Sequence, residues 1–264
     1  MRVNGDAVDI PTADGIMDAY VACPGEGGPF PLVIMYMDIW GLREELFGLA
    51  RMVAEHGYYC VLPNLFYRKG KVRYEKRNAD GRTVSFDTLP EALKTEMLGL
   101  ARGLTRQMIK TDVEAIFGFV GDKPVSTGPA GVVGFCLGGR IGIFAAQAFP
   151  DRFRAVGSLH GTLLVTDAPD SVHRLMDRLK GEVYFGHGEL DRASAPEVIA
   201  ALDAACDGNK GLVCRSNVHR GVHHGYSMPD RDVHDAAATA IDWRETLAMF
   251  ERQLKQSLLA PPSA

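Results

Sequence analysis

The amino-acid sequence predicts an α/β fold in which a mainly parallel central sheet carries helices on both faces. Short apolar segments alternate with longer amphipathic segments along the chain, an order typical of parallel sheets covered by helices. The 264 residues are 46% apolar and 23% charged, a composition sufficient for one large core. Because no linker, internal repeat or low-complexity tract divides the chain, we expect residues 1–264 to form a single domain.

The individual elements follow from hydrophobic periodicity and turn residues. The segment AVDIPTADGIMDAYVACP predicts an opening hairpin with its turn at 13–15, and the apolar run at 31–36 predicts the first parallel strand. REELFGLARMVAEHG predicts a helix that Gly57 ends. The polar segment 68–88 predicts a surface loop, and LLAPPSA predicts a frayed terminus. Further strands are expected at 58–63, 131–135, 155–159, 182–186 and 211–217, with helices near 91–102, 105–119, 195–205 and 232–258.

Charge and cysteine content exclude several classes of function. A formal charge of −4 and a pI near 6.1 provide no basic surface for nucleic acid or an anionic membrane. The polar N-terminal stretch lacks the apolar core of a signal peptide, and no apolar run is long enough to span a bilayer, so a cytoplasmic location is expected. Five cysteines without a C-x-x-C pair argue against a disulfide framework and a zinc ribbon. Most of them are expected to be small core residues.

One cysteine lies in a turn that indicates chemistry. The stretch GVVGFCLGGR places Cys136 where an apolar strand ends and the helix-like segment IGIFAAQAF begins. Gly134 and Gly138 stand two residues on either side, which is the spacing of the nucleophile elbow G-x-S-x-G with sulfur in place of oxygen. The alternative is a buried cysteine that only packs. The glycines favour the elbow.

Partners for this thiol are expected at the carboxyl ends of other strands, where ligands bind in parallel sheets. EVYFGHGELDRASAPE ends a predicted strand and carries Glu189 and Asp191, and HRGVHHGYSMP carries His223 and His224. The resulting order of nucleophile, acid and histidine is that of the α/β-hydrolases. Glu189 competes with Asp191 as the acid, and His223 competes with His224 as the base.

Two further alternatives concern this pair of segments. Asp191 could instead cap the helix that begins near APEVIAALDAA. His219 and His223 have the i, i+4 spacing of a metal pair, but Gly221 lies between them and no acidic third ligand stands nearby. A solvated loop is the preferred interpretation, and no metal or other cofactor is expected.

The residues resemble the dienelactone hydrolases, a family with the α/β-hydrolase fold. The resemblance extends from about 31 to 250 and rests on MDIWGLREEL, GFCLGG, GELDRASAPE and HHGY. It implies hydrolysis of an ester or lactone through a thioacyl enzyme. Cys136 would be the nucleophile and His224 the base and then the acid, while Asp191 would hold the tautomer of the imidazole.

The same resemblance assigns residues around the reacting carbonyl. Backbone N–H groups of Leu137 and Ile39 are expected to form the oxyanion hole. Members of the family carry a glutamate that contacts the resting thiol, and here the corresponding Asp38 is one methylene shorter. The alternative role for Asp38 is to cap the helix that begins near Arg43.

Substrate contacts are less well defined by the sequence. Trp40 and His160 lie next to predicted strand ends and are candidates for lining a pocket, although buried core positions are the alternative. Family members that act on a carboxylate-bearing lactone hold it with arginines, one of them four residues after the histidine, where this chain has Met228. Four other arginines are candidates, namely Arg68, Arg73, Arg82 and Arg231.

The expected partner is therefore a small ester or lactone, and the chain is expected to be a monomer or a homodimer. Within enzymes, the alternative is a thioesterase or acyl-transfer reaction at the same site. Outside enzymes, it is a ligand-binding protein on a hydrolase scaffold, because a fold alone does not determine function.

Overall fold

A computed structural model describes residues 2–255. Its core is one eight-stranded sheet with strand order β1-β2-β4-β3-β5-β6-β7-β8. The antiparallel pairs are β1 with β2 and β2 with β4, and all other neighbours are parallel. The strands are β1 (Val3–Thr12), β2 (Gly15–Pro24), β3 (Leu32–Tyr36), β4 (Tyr59–Pro63), β5 (Ala130–Phe135), β6 (Phe153–Leu159), β7 (Gly181–Gly188) and β8 (Leu212–His219). The predicted mainly parallel sheet is confirmed.

Within residues 2–255, six α-helices flank the sheet, and they confirm the predicted positions to within a few residues. They are α1 (Glu44–Glu55), α2 (Glu91–Gly103), α3 (Arg106–Phe119), α4 (Leu137–Ala148), α5 (Pro196–Asp207) and α6 (Ala236–Phe250). A π-helical turn, Glu251–Lys255, extends α6. The predicted frayed tail and the last part of the predicted helix 232–258 lie outside the described residues.

Helices cover both faces of the sheet, as neighbouring residues of β5 show. A Cβ on Gly131 would lie 3.0 Å from Phe250, the last residue of α6, and 2.9 Å from Leu254, which follows that helix. A Cβ on Gly142 of α4 would lie 3.0 Å from the side chain of Val132, the next residue of β5. Successive side chains of a strand point to opposite faces, so α4 and α6 lie on opposite sides.

Two predictions were wrong in part. The segment 68–88 is not simply a surface loop, because Thr83 is buried and its N–H and hydroxyl both bond to Asp230, each at 2.8 Å. Cys206 and Cys214 form a disulfide, with their Cα atoms 6.1 Å apart. The short connection between α5 and β8 brings the two thiols together, a proximity that cysteine counting does not reveal.

The three remaining cysteines differ in how deeply they are buried. Cys60 is fully buried on β4, as expected of a core residue, whereas Cys23 and Cys136 are half-buried. Within residues 2–255, no helix is long and apolar enough to cross a bilayer.

Candidate active site

Cys136 occupies a sharp turn between β5 and α4. Its backbone has φ 56° and ψ −118°, a conformation that L side chains rarely adopt. A Cβ on Gly134 would lie 2.0 Å from the carbonyl oxygen of Gly138, and one on Gly138 would lie 2.5 Å from that of Met37. Both flanking positions therefore exclude any side chain. This is the local reason for the glycine spacing, and it leaves the Cys136 thiol half-buried at the strand end.

Asp191 lies in the loop after β7 and has two roles. Its Oδ2 accepts a hydrogen bond from His224 Nδ1 at 2.7 Å, and its Oδ1 accepts from the backbone N–H of Ala193 at 2.8 Å. The predicted cap of the helix APEVIAALDAA is wrong, because α5 begins after Ala195 without a side-chain cap and Asp191 caps only the short 3-10 turn Arg192–Ser194. The rival acid, Glu189, instead accepts from the N–H of Gly221 at 2.8 Å.

His224 stands between this carboxylate and the thiol. Because Nδ1 is bonded to Asp191, the ring's other nitrogen remains for Cys136, with which the imidazole interacts through charge and a hydrogen bond. Burial lowers the pKa of His224, but the charge on Cys136 and the bond to Asp191 outweigh it and raise the pKa to about 10. His223 is exposed to solvent.

His160 lies beneath the elbow rather than in an open pocket. It is fully buried and has a φ of 41°. Its Nδ1 accepts from the backbone N–H of Cys136 at 3.1 Å, and its Nε2 lies 2.7 Å from the Ser227 hydroxyl. Its ring centroid is 5.0 Å from that of His224.

Asp38 is held by an arginine that the sequence analysis did not single out. Nη1 and Nη2 of Arg43 donate to the two Asp38 oxygens at 2.7 and 2.8 Å, and Nε and Nη2 donate to Asp230 at 2.8 and 3.1 Å. Asp38 also accepts from the N–H of Trp40 at 3.0 Å. The carboxylate is thus engaged by Arg43 rather than by the thiol. Among the described residues, the bonds of Asp38 go to Arg43 and to the N–H of Trp40 and none goes to the N-terminus of α1, so Asp38 does not cap that helix.

Arg43 connects two loops of the site. Asp38 follows β3, and Asp230 lies beyond His224. Both carboxylates are almost fully buried, and Arg43 lowers the pKa of Asp230 below its ordinary value against the opposing effect of burial. The sequence carried no signal for this pairing, since Arg43 and Asp230 are separated by 187 residues.

The expected donors to an oxyanion lie at the meeting point of α4 and β3. Leu137 is the first residue of α4, so its N–H has no acceptor within the helix. The close approach of Gly138 to the carbonyls of Tyr36 and Met37 brings this helix end against the chain that leads to Ile39. Trp40 is buried, and its indole Nε1 has no hydrogen-bond partner.

A second histidine, at the end of β8, has a different environment. His219 Nε2 lies 2.7 Å from Oδ1 of Asp242, a fully buried carboxylate on α6. The same carboxylate accepts from the hydroxyls of Tyr184 at 2.6 Å and of Tyr226. His219 is thus not paired with His223, and within residues 2–255 no group of three His, Cys, Asp or Glu residues could hold a metal ion.

Comparison with known proteins gives a consistent result. The sequence model of the dienelactone hydrolase family matches residues 17–254. A Methylorubrum extorquens protein provisionally named carboxymethylenebutenolidase is 26% identical over 249 residues, 93% of this chain and 80% of that protein. The carboxymethylenebutenolidase of Rhodococcus opacus is 24% identical over 246 residues, 89% of this chain and 86% of that protein.

The solved structures agree with the fold. A Klebsiella pneumoniae protein provisionally named dienelactone hydrolase has a TM-score of 0.81 at 20% identity, covering 96% of this chain and 100% of that one. This similarity confirms the predicted α/β-hydrolase fold. Since the family model spans most of the sequence, the chain belongs to the dienelactone hydrolase family.

Proposed function

We propose that this hydrolase cleaves small carboxylic esters or lactones through Cys136 as the nucleophile, with a thioacyl enzyme as the intermediate. The observation that carries the proposal is the elbow at Cys136 together with the 2.7 Å bond between His224 and Asp191. A nucleophile, a base and a group that orients the base are the parts required for covalent acyl transfer.

In the first half-reaction, the Cys136 thiolate attacks the carbonyl carbon and a carbon–sulfur bond forms. The electron pair of the carbonyl π bond moves to oxygen, which becomes an oxyanion. When this intermediate collapses, the bond to the leaving oxygen breaks, and the His224 imidazolium donates its proton to that oxygen. The raised pKa of His224 keeps this proton available at neutral pH.

In the second half-reaction, neutral His224 removes a proton from water, and the resulting hydroxide attacks the thioester carbon. Collapse of the second oxyanion breaks the carbon–sulfur bond and regenerates the thiolate and the imidazolium. Asp191 holds Nδ1 throughout, so the other ring nitrogen performs both proton transfers.

The N–H groups of Leu137 and Ile39 stabilise both oxyanions in this mechanism. Each such donor typically lowers the barrier by about 3 kcal/mol. Arg43 supports the arrangement from behind, because it fixes Asp38, the residue next to Ile39.

Among the four candidate arginines, the structure favours Arg231 as the contact for a carboxylate on the substrate. Arg68 is paired with Asp14 and Asp112, Arg73 is paired with Asp18, and Arg82 donates to the carbonyl of Arg231. Arg231 is buried, its Nε has no hydrogen-bond partner among residues 2–255, and its guanidinium lies 5.2 Å from the Trp40 ring centroid. The name of the relatives, carboxymethylenebutenolidase, likewise refers to a lactone that carries a carboxyl group.

The test compares an enol lactone with a carboxylate, an aryl acetate and an acyl thioester, using the native enzyme and Cys136→Ala. We expect hydrolysis of the lactone and the aryl ester by the native enzyme, a trapped acyl adduct on Cys136 by mass spectrometry, and no turnover by Cys136→Ala. Cys23→Ala, at another half-buried cysteine, is the control and should retain activity. Turnover by Cys136→Ala would disprove the nucleophile, and a preference for the thioester would indicate a thioesterase.

A further inference from the structure

His160 combines three features that simple packing does not require. It is fully buried, it adopts a φ of 41° although it is not glycine, and both of its ring nitrogens are within hydrogen-bond distance of a partner. Strained backbone of this kind persists only where the surroundings enforce it, and it is concentrated at functional sites. Here its backbone N–H donates to the carbonyl of Gly186 on the neighbouring strand at 2.8 Å.

The two ring contacts determine the form of the imidazole. The Cys136 N–H is a donor shared between the carbonyl of Leu159 and Nδ1 of His160, each at 3.1 Å, so this ring nitrogen must carry a lone pair. The proton of a neutral ring is then on Nε2, where it is donated to the Ser227 hydroxyl at 2.7 Å. The hydrogen bonds therefore specify a neutral His160 in one tautomer.

These bonds join the two parts of the proposed active site that must meet. At one end, His160 contacts the backbone of the nucleophile, Cys136. At the other end, it contacts Ser227, which lies three residues after His224 in the same buried turn. The segment 224–227 thus cannot move away from the elbow without breaking the contact between His160 and Ser227.

We propose that His160 is a positioning residue that sets the separation between the Cys136 thiol and the His224 imidazole through its bonds to Cys136 and Ser227. The inference rests on the proposed function, in which these two side chains react together. Errors of about 1 Å in such a separation can reduce rates by about 100-fold. His160 itself transfers no proton, because both of its nitrogens are engaged.

The charges around His160 maintain the required form. Burial, the neighbouring His224 and Arg231 together hold the pKa of His160 well below its ordinary value. The other groups that face the ring are Cys136, through its N–H, and Tyr226, whose ring centroid is 5.4 Å away. A positive charge on His160 would be unfavourable beside the charges of His224 and Arg231. His160 therefore stays neutral and remains an acceptor for Cys136 while His224 is protonated.

Two single variants test the proposal from its two ends. Ser227→Ala removes one bond and leaves the histidine in place. His160→Asn keeps an acceptor near the Nδ1 position and tolerates positive φ, but it cannot reach Ser227. We expect both to lower kcat by about 10-fold or more with little change in KM, and the double variant to be no worse than either one, because both break the same contact.

The control is His173→Ala, which removes a histidine contact to Ser171 at 3.0 Å outside the elbow and the 224–227 turn. It should leave kcat unchanged. If Ser227→Ala and His160→Asn match this control in kcat while Cys136→Ala is inactive, the positioning role is wrong and the proposed function stands. If Cys136→Ala remains active, the proposed function itself fails.

Imidazole nitrogen NMR supplies a readout that a merely structural role would not determine. His160 should show the neutral Nε2–H tautomer from about pH 6 to about pH 9, whereas an ordinary histidine titrates within this range. In Ser227→Ala the Nε2–H tautomer should persist, because the Cys136 N–H still faces Nδ1, but the Nε2–H resonance should shift because its partner hydroxyl is lost. Titration of His160 in the native enzyme, or an Nδ1–H tautomer, would overturn the inference.

Discussion

Two histidine–aspartate pairs lie in neighbouring parts of this molecule, and their bonds have the same length. His224 contacts Asp191 at 2.7 Å, and His219, five residues earlier, contacts Asp242 at 2.7 Å. His224 contacts its aspartate through Nδ1, whereas His219 contacts its aspartate through Nε2. The His224 side chain is 28% exposed, whereas that of His219 is 8% exposed.

The difference shows that a histidine–carboxylate bond does not by itself identify a catalytic site. Asp191 binds Nδ1, which leaves the distal nitrogen of His224 directed toward Cys136. Asp242 binds Nε2, which buries the distal nitrogen of His219. The second pair therefore occupies the ring nitrogen that the first pair leaves for the nucleophile.

Asp242 is instead a structural anchor. It accepts bonds from His219 and Tyr226, the residues on either side of the segment that carries His224, and from Tyr184 on β7. Burial and the charge of Asp242 raise the pKa of both tyrosines, so their hydroxyls remain donors. Asp242 thus holds the two ends of the segment that carries His224, whereas Asp191 binds His224 itself.

The largest expected effect comes from His224→Ala. Removal of the proposed base should lower kcat at least about 1,000-fold, because the proposed mechanism passes both proton transfers through this ring. The melting temperature should change little, since the ring is partly exposed. Steady-state hydrolysis of an aryl acetate measures the rate, and retention of more than a tenth of the activity would refute the assignment.

Asp242→Asn should affect stability more than chemistry. The variant loses a charged acceptor that serves three buried donors, so the free energy of unfolding should fall by about 3 kcal/mol. Urea denaturation measures this quantity. An unchanged unfolding midpoint would show that the second pair is not an anchor, and the comparison of the two pairs would then lose its basis.

Asp191→Asn should move the alkaline limit of activity. In the native enzyme, His224 has a pKa raised to about 10, so its acid form is present below this pH and is lost as pH rises through it. Loss of the carboxylate removes one cause of the increase, and the descending limb of kcat/KM should move to lower pH. The pH–rate profile checks this, and a limb at an unchanged pH would contradict it.

The smallest effect is expected for His223→Ala. His223 is adjacent to the proposed base but exposed, so its removal should change kcat by less than about two-fold, as is usual for surface substitutions. Parallel assays with His224→Ala provide the comparison. A large loss in His223→Ala together with an active His224→Ala would reassign the base.

The sequence predicted those features that depend on local pattern. Alternating apolar and amphipathic segments gave the order of strands and helices, and the spacing of Gly134 and Gly138 placed Cys136 in the turn. The chain order of Asp191 and His224 could also be read, because each follows an apolar strand.

Features that depend on distant contacts could not be predicted from the sequence. Arg43 reaches Asp230 across 187 residues, and His160 reaches Ser227 across 67. Hydrophobic periodicity contains no information about such pairs. The sequence therefore allowed Asp38 to be a contact of the thiol, whereas the structure pairs it with Arg43. The disulfide was missed for the same reason.

The crowding around the elbow glycines has a consequence for engineering. A Cβ on Gly139 would lie 2.6 Å from Ser158 Oγ, in addition to the backbone collisions at Gly134 and Gly138, so saturation libraries at these positions should return glycine almost exclusively. Leu163 and Leu190, which follow β6 and β7, are 49% and 50% exposed. Directed evolution of the substrate range should therefore target exposed loop positions such as these, because the elbow turn tolerates almost no substitution.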